Sequence, residues 1–284
     1  MSNPPELKNS AACEQISAPQ GRRRAWRVAR YVAVGTTLLA LLAYVGICVW
    51  VRLYQRELLY YPDSTRVAAQ TTDFSISHDG VALRGWVIHP DMPNPILYFG
   101  GNAERIEKDR SDFAQWLPGH SVYLLAYRGY GASDGKPSEA ALFADAVSEF
   151  DQIQALHAGQ PISVIGRSVG SGVAAYLASQ RSIAKLVLIT PFDSMAEVAQ
   201  ADFPWLPVRW LITDRYSSAS YVAHDAHPVL IVQAGDDEVI PAEDTHRLIQ
   251  AFPRTPAVIN IPGRGHNDIY KAPEYGQAIS DFLR

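Results

Sequence analysis

The stretch VIGRSVGSG, residues 164–172, decides the fold. It closes an apolar run, PISVIG (161–166), and opens a run of small and helix-forming residues, SGVAAYLASQ (171–180). Between the two runs a polar residue, Ser168, stands between Gly166 and Gly170. A strand that turns directly into a helix needs such a tight, strained turn, and side chains at the flanking positions would collide with neighbouring backbone. G-x-S-x-G in this context lifts the serine hydroxyl out at the top of a sheet. The first N–H groups of the helix that begins there have no intrahelical acceptor and lie at its positive dipole end.

Working outward, the chain alternates. TDFSIS (72–77) and VALRGWVI (81–88) read as an antiparallel pair around an HDG turn. PILYF (95–99), SVYLLAY (121–127), PISVIG, KLVLIT (185–190), PVLIVQ (228–233) and AVINI (257–261) follow as short apolar runs. They lack strict alternation, as expected of strands buried on both faces. Helix-length segments lie between them at 103–117, 137–158, 168–180, 242–252 and 272–283. The pattern predicts an α/β fold over 71–284: a mostly parallel, eight-stranded sheet with helices on both faces. The long connection 191–228 is rich in apolar and aromatic residues and is expected to form a small lid or binding wall. Phe203, Trp205 and Trp210 in it are the candidate substrate-binding residues.

Ligands of open parallel sheets bind at the carboxyl ends of the strands. A serine there is a weak nucleophile without a base, and in this arrangement the base follows the acid, which follows the serine. Of eight histidines only His266 lies beyond the last strand, in PGRGHNDI (262–269). The acid should come from AGDDEVIP (234–241). The D-x-x-I-P spacing favours Asp237, with Asp236 beside it and Asp193 of PFDS (191–194) as alternatives. Two amides would serve an oxyanion: Val169, after the serine, and Asn102, in the loop GGNAE (100–104) after the third strand.

The 284-residue chain is 48% hydrophobic and 19% charged, with net charge −4, a globular composition. Residues 1–30 carry about +4 of that charge, leaving a body of about −8, which argues against nucleic-acid binding by the body. The basic tail has another partner. YVAVGTTLLALLAYVGICVWV, residues 31–51, has no charge and is long enough at ~1.5 Å per residue to cross the ~30 Å hydrocarbon layer. It exceeds the length of a signal peptide's apolar region and lacks a small-x-small cleavage site. Five arginines precede it, and Arg52 and Arg56 follow. The positive-inside bias therefore predicts a single-pass anchor with a cytoplasmic tail (1–30), a connector (52–70) and an extracytoplasmic catalytic domain, periplasmic in a Gram-negative cell. Cys13 and Cys48 are the only cysteines, so the body has no disulfide framework and no thiolate metal site.

LLYYPD (58–63), YFGGNAE (98–104), AYRGYGASDGKPSE (126–139), GRSVGSG (166–172), PFDS, GDDEVIP (235–241) and GRGHNDI (263–269), taken in order, resemble the α/β-hydrolase superfamily. The resemblance covers roughly residues 55–284. It is strongest to the small membrane-anchored serine hydrolases of the ABHD type and the serine-aminopeptidase-like domains. It implies a triad of Ser168, Asp237 and His266, and a structural role for Arg128, Tyr130 and Gly131 in the loop beside the site. Where that branch carries His-Gly-Asn, this chain has Gly100-Gly101-Asn102. The expected activity is cleavage of a carboxylic ester or thioester of a small-molecule or acylated substrate, through an acyl-enzyme and with no cofactor. The fold also carries peptidases and amidases, and non-catalytic binding proteins; an intact triad in the right order speaks against the last.

Overall fold

The computed structural model describes residues 20–284. Of the basic tail, residues 1–19 lie outside the described residues. The chain divides into two units, one ending at Val49 and one running from Trp50 to Arg284. The first consists, among the described residues, of the leading part of helix α1 (Gln20–Leu59). This is a helix long and apolar enough to cross a membrane by length and composition. It runs beyond both ends of the apolar 31–51 run; on the far side RLYQRELL (52–59) is mostly good helix formers, with no glycine, and the next proline comes at Pro62. The segment expected as a connector is thus helical for its first eight residues.

The second unit is built on one sheet of eight strands: β1 (Phe74–His78), β2 (Val81–Ile88), β3 (Ile96–Phe99), β4 (Val122–Leu125), β5 (Ser163–Arg167), β6 (Leu186–Ile189), β7 (Val229–Ala234) and β8 (Ala257–Ile261). Their order is β1-β2-β4-β3-β5-β6-β7-β8. β1–β2 and β2–β4 are antiparallel, and every other pair is parallel. β3, β4 and β6 are buried along their whole length, which explains their unbroken apolar sequences. β8, at the edge, is exposed over most of its residues.

Helices α2 (Arg110–Trp116), α3 (Glu139–Leu156), α4 (Val169–Gln180), α5 (Met195–Asp202), α6 (Val208–Leu211), α7 (Ser218–Val222), α8 (Ala242–Ala251) and α9 (Pro273–Leu283) complete the unit. α2 packs with α9, while α3, α4, α7 and α8 pack in succession. Ser138 caps α3, and Ser194 caps α5 through the amides of Ala196 and Glu197. α2 is shorter than the expected 103–117 segment. Ala103 sits at φ 57°, left-handed for a residue with a Cβ, and residues 106–108 form a single tight turn before the helix starts.

The 191–228 connection forms α5, α6 and α7. Its second half is packed down: Tyr216 is fully buried, with its ring edge-on to Phe143 and its atoms against Gly172 of α4. A Cβ at Gly172 would come within 3.0 Å of that ring.

Candidate active site

The turn from β5 to α4 is as tight as the sequence requires. Ser168 takes φ 51° and ψ −121°, a conformation that residues with side chains rarely adopt. A Cβ on Gly166 would strike the backbone of Gly170 and come within 2.6 Å of Ala174 Cβ. One on Gly170 would strike the carbonyl of Phe99 and come within 2.6 Å of that of Gly100. Gly166 therefore lets α4 fold back directly onto β5, and Gly170 lets the elbow lie against the end of β3, which carries the 100–104 loop.

At the carboxyl end of β5, three side chains from distant parts of the chain are hydrogen-bonded in series. Ser168 Oγ lies 2.9 Å from His266 Nε2. His266 Nδ1 lies 3.0 and 3.1 Å from the two oxygens of Asp237. Asp237 Oδ1 also accepts the amides of Val239 (2.9 Å) and Ile240 (2.8 Å), which fix the carboxylate in the turn after β7. Burial pushes the Asp237 carboxyl up, but the hydrogen bonds from His266, Ile240 and Val239 outweigh it and hold the group below its ordinary range. An ionised acid, an imidazole and a hydroxyl in this order can move a proton from the hydroxyl to the imidazole and hold the resulting charge. His266 is buried at 5% exposure, so that charge would form away from bulk water.

The alternative acids go elsewhere. Asp236 is exposed, and its amide bonds the carbonyl of Arg264. Asp193 pairs with Arg247 at 2.5 Å and accepts the amide of Ser194. Among the described residues no group of three or more His, Cys, Asp or Glu side chains could hold a metal ion.

The loop after β3 lies beside the serine: a Cβ on Gly101 would sit 3.5 Å from Ser168 Cβ. The Asn102 side chain anchors this loop to the end of α1. Its Nδ2 donates to the carbonyl of Leu59, and its Oδ1 accepts the Tyr130 hydroxyl (2.7 Å) and the amide of Tyr61 (3.3 Å). Tyr130 thus acts on the loop directly, while Arg128 clamps Asp145 of α3 with contacts of 2.5 and 2.6 Å. Gly131 takes φ 52° in the same turn. Phe203, Trp205 and Trp210 belong to the surface of the 191–228 segment, 49%, 56% and 89% exposed, and take no part in this hydrogen-bonded series.

A buried ionic group behind the site escaped the sequence reading. Glu104 accepts the amide of Gly101 and the Tyr98 hydroxyl (2.6 Å) and pairs with Arg167 at 3.0 Å. Arg167 in turn donates to the carbonyl of His266 (3.2 Å). One ion pair therefore joins the 100–104 loop, the elbow and the histidine loop. Burial pushes Glu104 up, yet Arg167 and the Tyr98 hydroxyl hold it below the usual range. Asp109, mostly buried, is pushed up to about 8 by burial and by the charge of Glu104. Glu238 was missed as well: it accepts the amide of His266 (3.0 Å), where a spare turn acid would only be solvated. Glu104 and Arg167 stand inside GGNAE and GRSVG, but only the fold brings them within reach of each other.

Comparison with known proteins agrees with this architecture. A family model described as alpha/beta hydrolase fold matches residues 94–215. The chain is 35% identical over 254 residues to the uncharacterized protein Rv2307c of Mycobacterium tuberculosis (strain ATCC 25618 / H37Rv), covering 84% of this chain and 89% of that one. It is 31% identical over 220 residues to the lysophosphatidylserine lipase ABHD12 of Danio rerio, covering 66% of this chain and 58% of the relative. Among solved structures it superposes on the ferulic-acid-bound Est1E of Butyrivibrio proteoclasticus with a TM-score of 0.61 at 18% identity, covering 74% of this chain and 96% of the other. With its mostly parallel eight-stranded sheet, its glycine-flanked elbow and these relatives, the chain belongs to the α/β-hydrolase superfamily.

Proposed function

We propose that the protein is a single-pass, membrane-anchored serine hydrolase that cleaves carboxylic esters or thioesters of acylated substrates near the bilayer surface. The observation that carries this reading is the Ser168–His266–Asp237 series, with contacts of 2.9 and 3.0 Å. His266 Nε2 takes the Ser168 proton as Oγ bonds to the acyl carbon, and the carbonyl electron pair moves onto oxygen. The amides of Val169 and Asn102 stabilise that oxyanion. As the tetrahedral adduct collapses, the C–O or C–S bond breaks and the leaving group takes the proton from His266. Water, deprotonated by the same imidazole, then attacks the acyl-enzyme and releases the acid and Ser168. Asp237, held ionised, orients the imidazole and offsets its charge throughout.

Two things favour esters at a membrane. A relative is named as a lysophosphatidylserine lipase, and a solved structure that shares the fold is named as an esterase of Pyrococcus furiosus. The Asn102 side chain bonds Leu59, which lies eight residues beyond the apolar run, or about 12 Å along the helix. The N-terminus is taken as cytoplasmic and the body as extracytoplasmic, from the arginines before the span.

The test is labelling with a fluorophosphonate probe on membranes, wild type beside Ser168→Ala, followed by turnover of matched ester, thioester and anilide substrates. Labelling of wild type alone, with ester or thioester turnover exceeding anilide turnover, is expected. Equal labelling of both proteins, or faster anilide cleavage, overturns the assignment. An alkaline phosphatase fused after residue 284 should be active in a cell that folds it only outside the cytoplasm; an inactive fusion overturns the orientation.

A further inference from the structure

We infer that Arg167 is a positioning residue for proton transfer: its guanidinium holds the peptide of His266 and so fixes where the imidazole can deliver a proton to the leaving group. This role presupposes the serine-hydrolase reading given above.

The contacts of the imidazole itself leave His266 a freedom that Arg167 removes. A hydrogen bond to Nδ1 sets the tautomer, but the ring can still swing about that bond unless its own backbone is fixed. His266 stands in the turn after β8, outside any strand or helix, so no ladder holds its peptide. Side chains hold it instead. Its N–H donates to Glu238 Oε2 (3.0 Å), and its carbonyl accepts from Arg167 Nη2 (3.2 Å). Gly265 makes room for the first contact, since a Cβ there would strike the Glu238 carboxylate. Glu238 is exposed, whereas the Arg167 side chain is only 12% exposed, so water competes far less for the second contact.

The other arm of the guanidinium is committed to a different loop. Arg167 Nη1 pairs with Glu104 Oε1 at 3.0 Å, and Glu104 accepts the amide of Gly101 and the Tyr98 hydroxyl. The two nitrogens thus serve acceptors on two loops, a two-point contact that suits the planar fork of arginine better than the single nitrogen of lysine. Arg167 is itself anchored at the end of β5, in register with Ile189 of β6, and Ser168 follows it directly. One strand end therefore sets the serine, the loop after β3 and the histidine peptide relative to one another. The step that depends most on this is departure of the leaving group. An alkoxide needs the proton carried by His266 Nε2 as the C–O bond breaks, whereas nitrophenolate leaves without it.

The experiment compares the full chain in detergent with Arg167→Met/Glu104→Gln and with Arg167→Lys. The double variant removes both buried charges together, so neither is left unpaired, and glutamine still accepts from Gly101 and donates to Tyr98. Arg167→Lys keeps a cation for Glu104 and decides alone should the double variant not fold. kcat/KM is read with the ethyl and p-nitrophenyl esters of butyric acid, which share one acyl group. In each variant it is expected to fall about 10-fold for the nitrophenyl ester and about 100-fold for the ethyl ester, a shift of about tenfold in their ratio. Loss of folded protein lowers both rates by the same factor and leaves the ratio alone. An unchanged ratio in either variant therefore overturns the positioning role, while the hydrolase reading stands. Turnover of neither ester by wild type overturns the hydrolase reading and the role with it.

Discussion

Ser168 must be strained to stand where it does, and the strain can be measured. Its φ of 51° and ψ of −121° are glycine geometry, and holding a side chain there costs on the order of 1–3 kcal/mol. Two variants isolate that cost. Ser168→Ala and Ser168→Gly both lose the 2.9 Å contact with His266, so the loss cancels between them. Alanine keeps the Cβ and the strain; glycine relieves it. Against the relief stands the greater freedom of glycine in the unfolded chain, about 0.4–1 kcal/mol, and part of one buried carbon, up to about 0.8 kcal/mol. The balance leaves Ser168→Gly more stable than Ser168→Ala by roughly 1 kcal/mol. For a unit of this size that is about 2–4 °C in Tm. Calorimetry of both full-length variants in the same detergent reads it directly. If glycine proves less stable than alanine by about 1 kcal/mol, the ordinary penalty at a relaxed helical position, then the elbow is not strained and the argument for its glycines weakens with it.

Two other expectations concern the groups behind the serine. Asn102→Ala frees the 100–104 loop from Leu59, Tyr61 and Tyr130 and, under the proposed oxyanion role of the Asn102 amide, should lower kcat about 10–100-fold while leaving KM within about twofold; a change confined to KM would show that the side chain binds substrate instead. Asp109, whose carboxyl is raised to about 8, holds a proton in the folded protein that the unfolded chain releases near pH 4. Its stabilising contribution is therefore complete below about pH 4 and is lost as pH rises to about 8. Asp109→Asn should gain on wild type by up to about 1.4 kcal/mol per pH unit in that window, and a stability difference independent of pH from 5 to 8 would refute the assignment.

What could be read from the chain was what neighbouring residues encode. The strand ends, the elbow and the order of Ser168, Asp237 and His266 each depend on a few consecutive residues. Residues joined only by the fold could not be read so. Glu104 looked like the start of a helix, but its carboxylate turns back onto the Gly101 amide and Arg167, and the helix begins only at Arg110. Gln55 looked like linker, and its partners lie 156 and 158 residues away. Which residues of the 191–228 segment face outward could not be read either, because aromatic composition does not say which side of a helix is exposed; Phe203, Trp205 and Trp210 stand at the surface.

The bond between Asn102 and Leu59 bears on where the chain could be cut without disturbing the serine's surroundings. A chain cut between residues 61 and 71 keeps all eight strands and the serine, histidine and aspartate. It forfeits Leu59 and Tyr61, which hold the loop beside the serine, and Arg56 and Tyr60, which grip Asp214. A fragment that begins there would have the 100–104 loop loosened. The contacts that hold the loop survive a cut only if it falls upstream of Arg56, so that the last turn of α1 stays with the body.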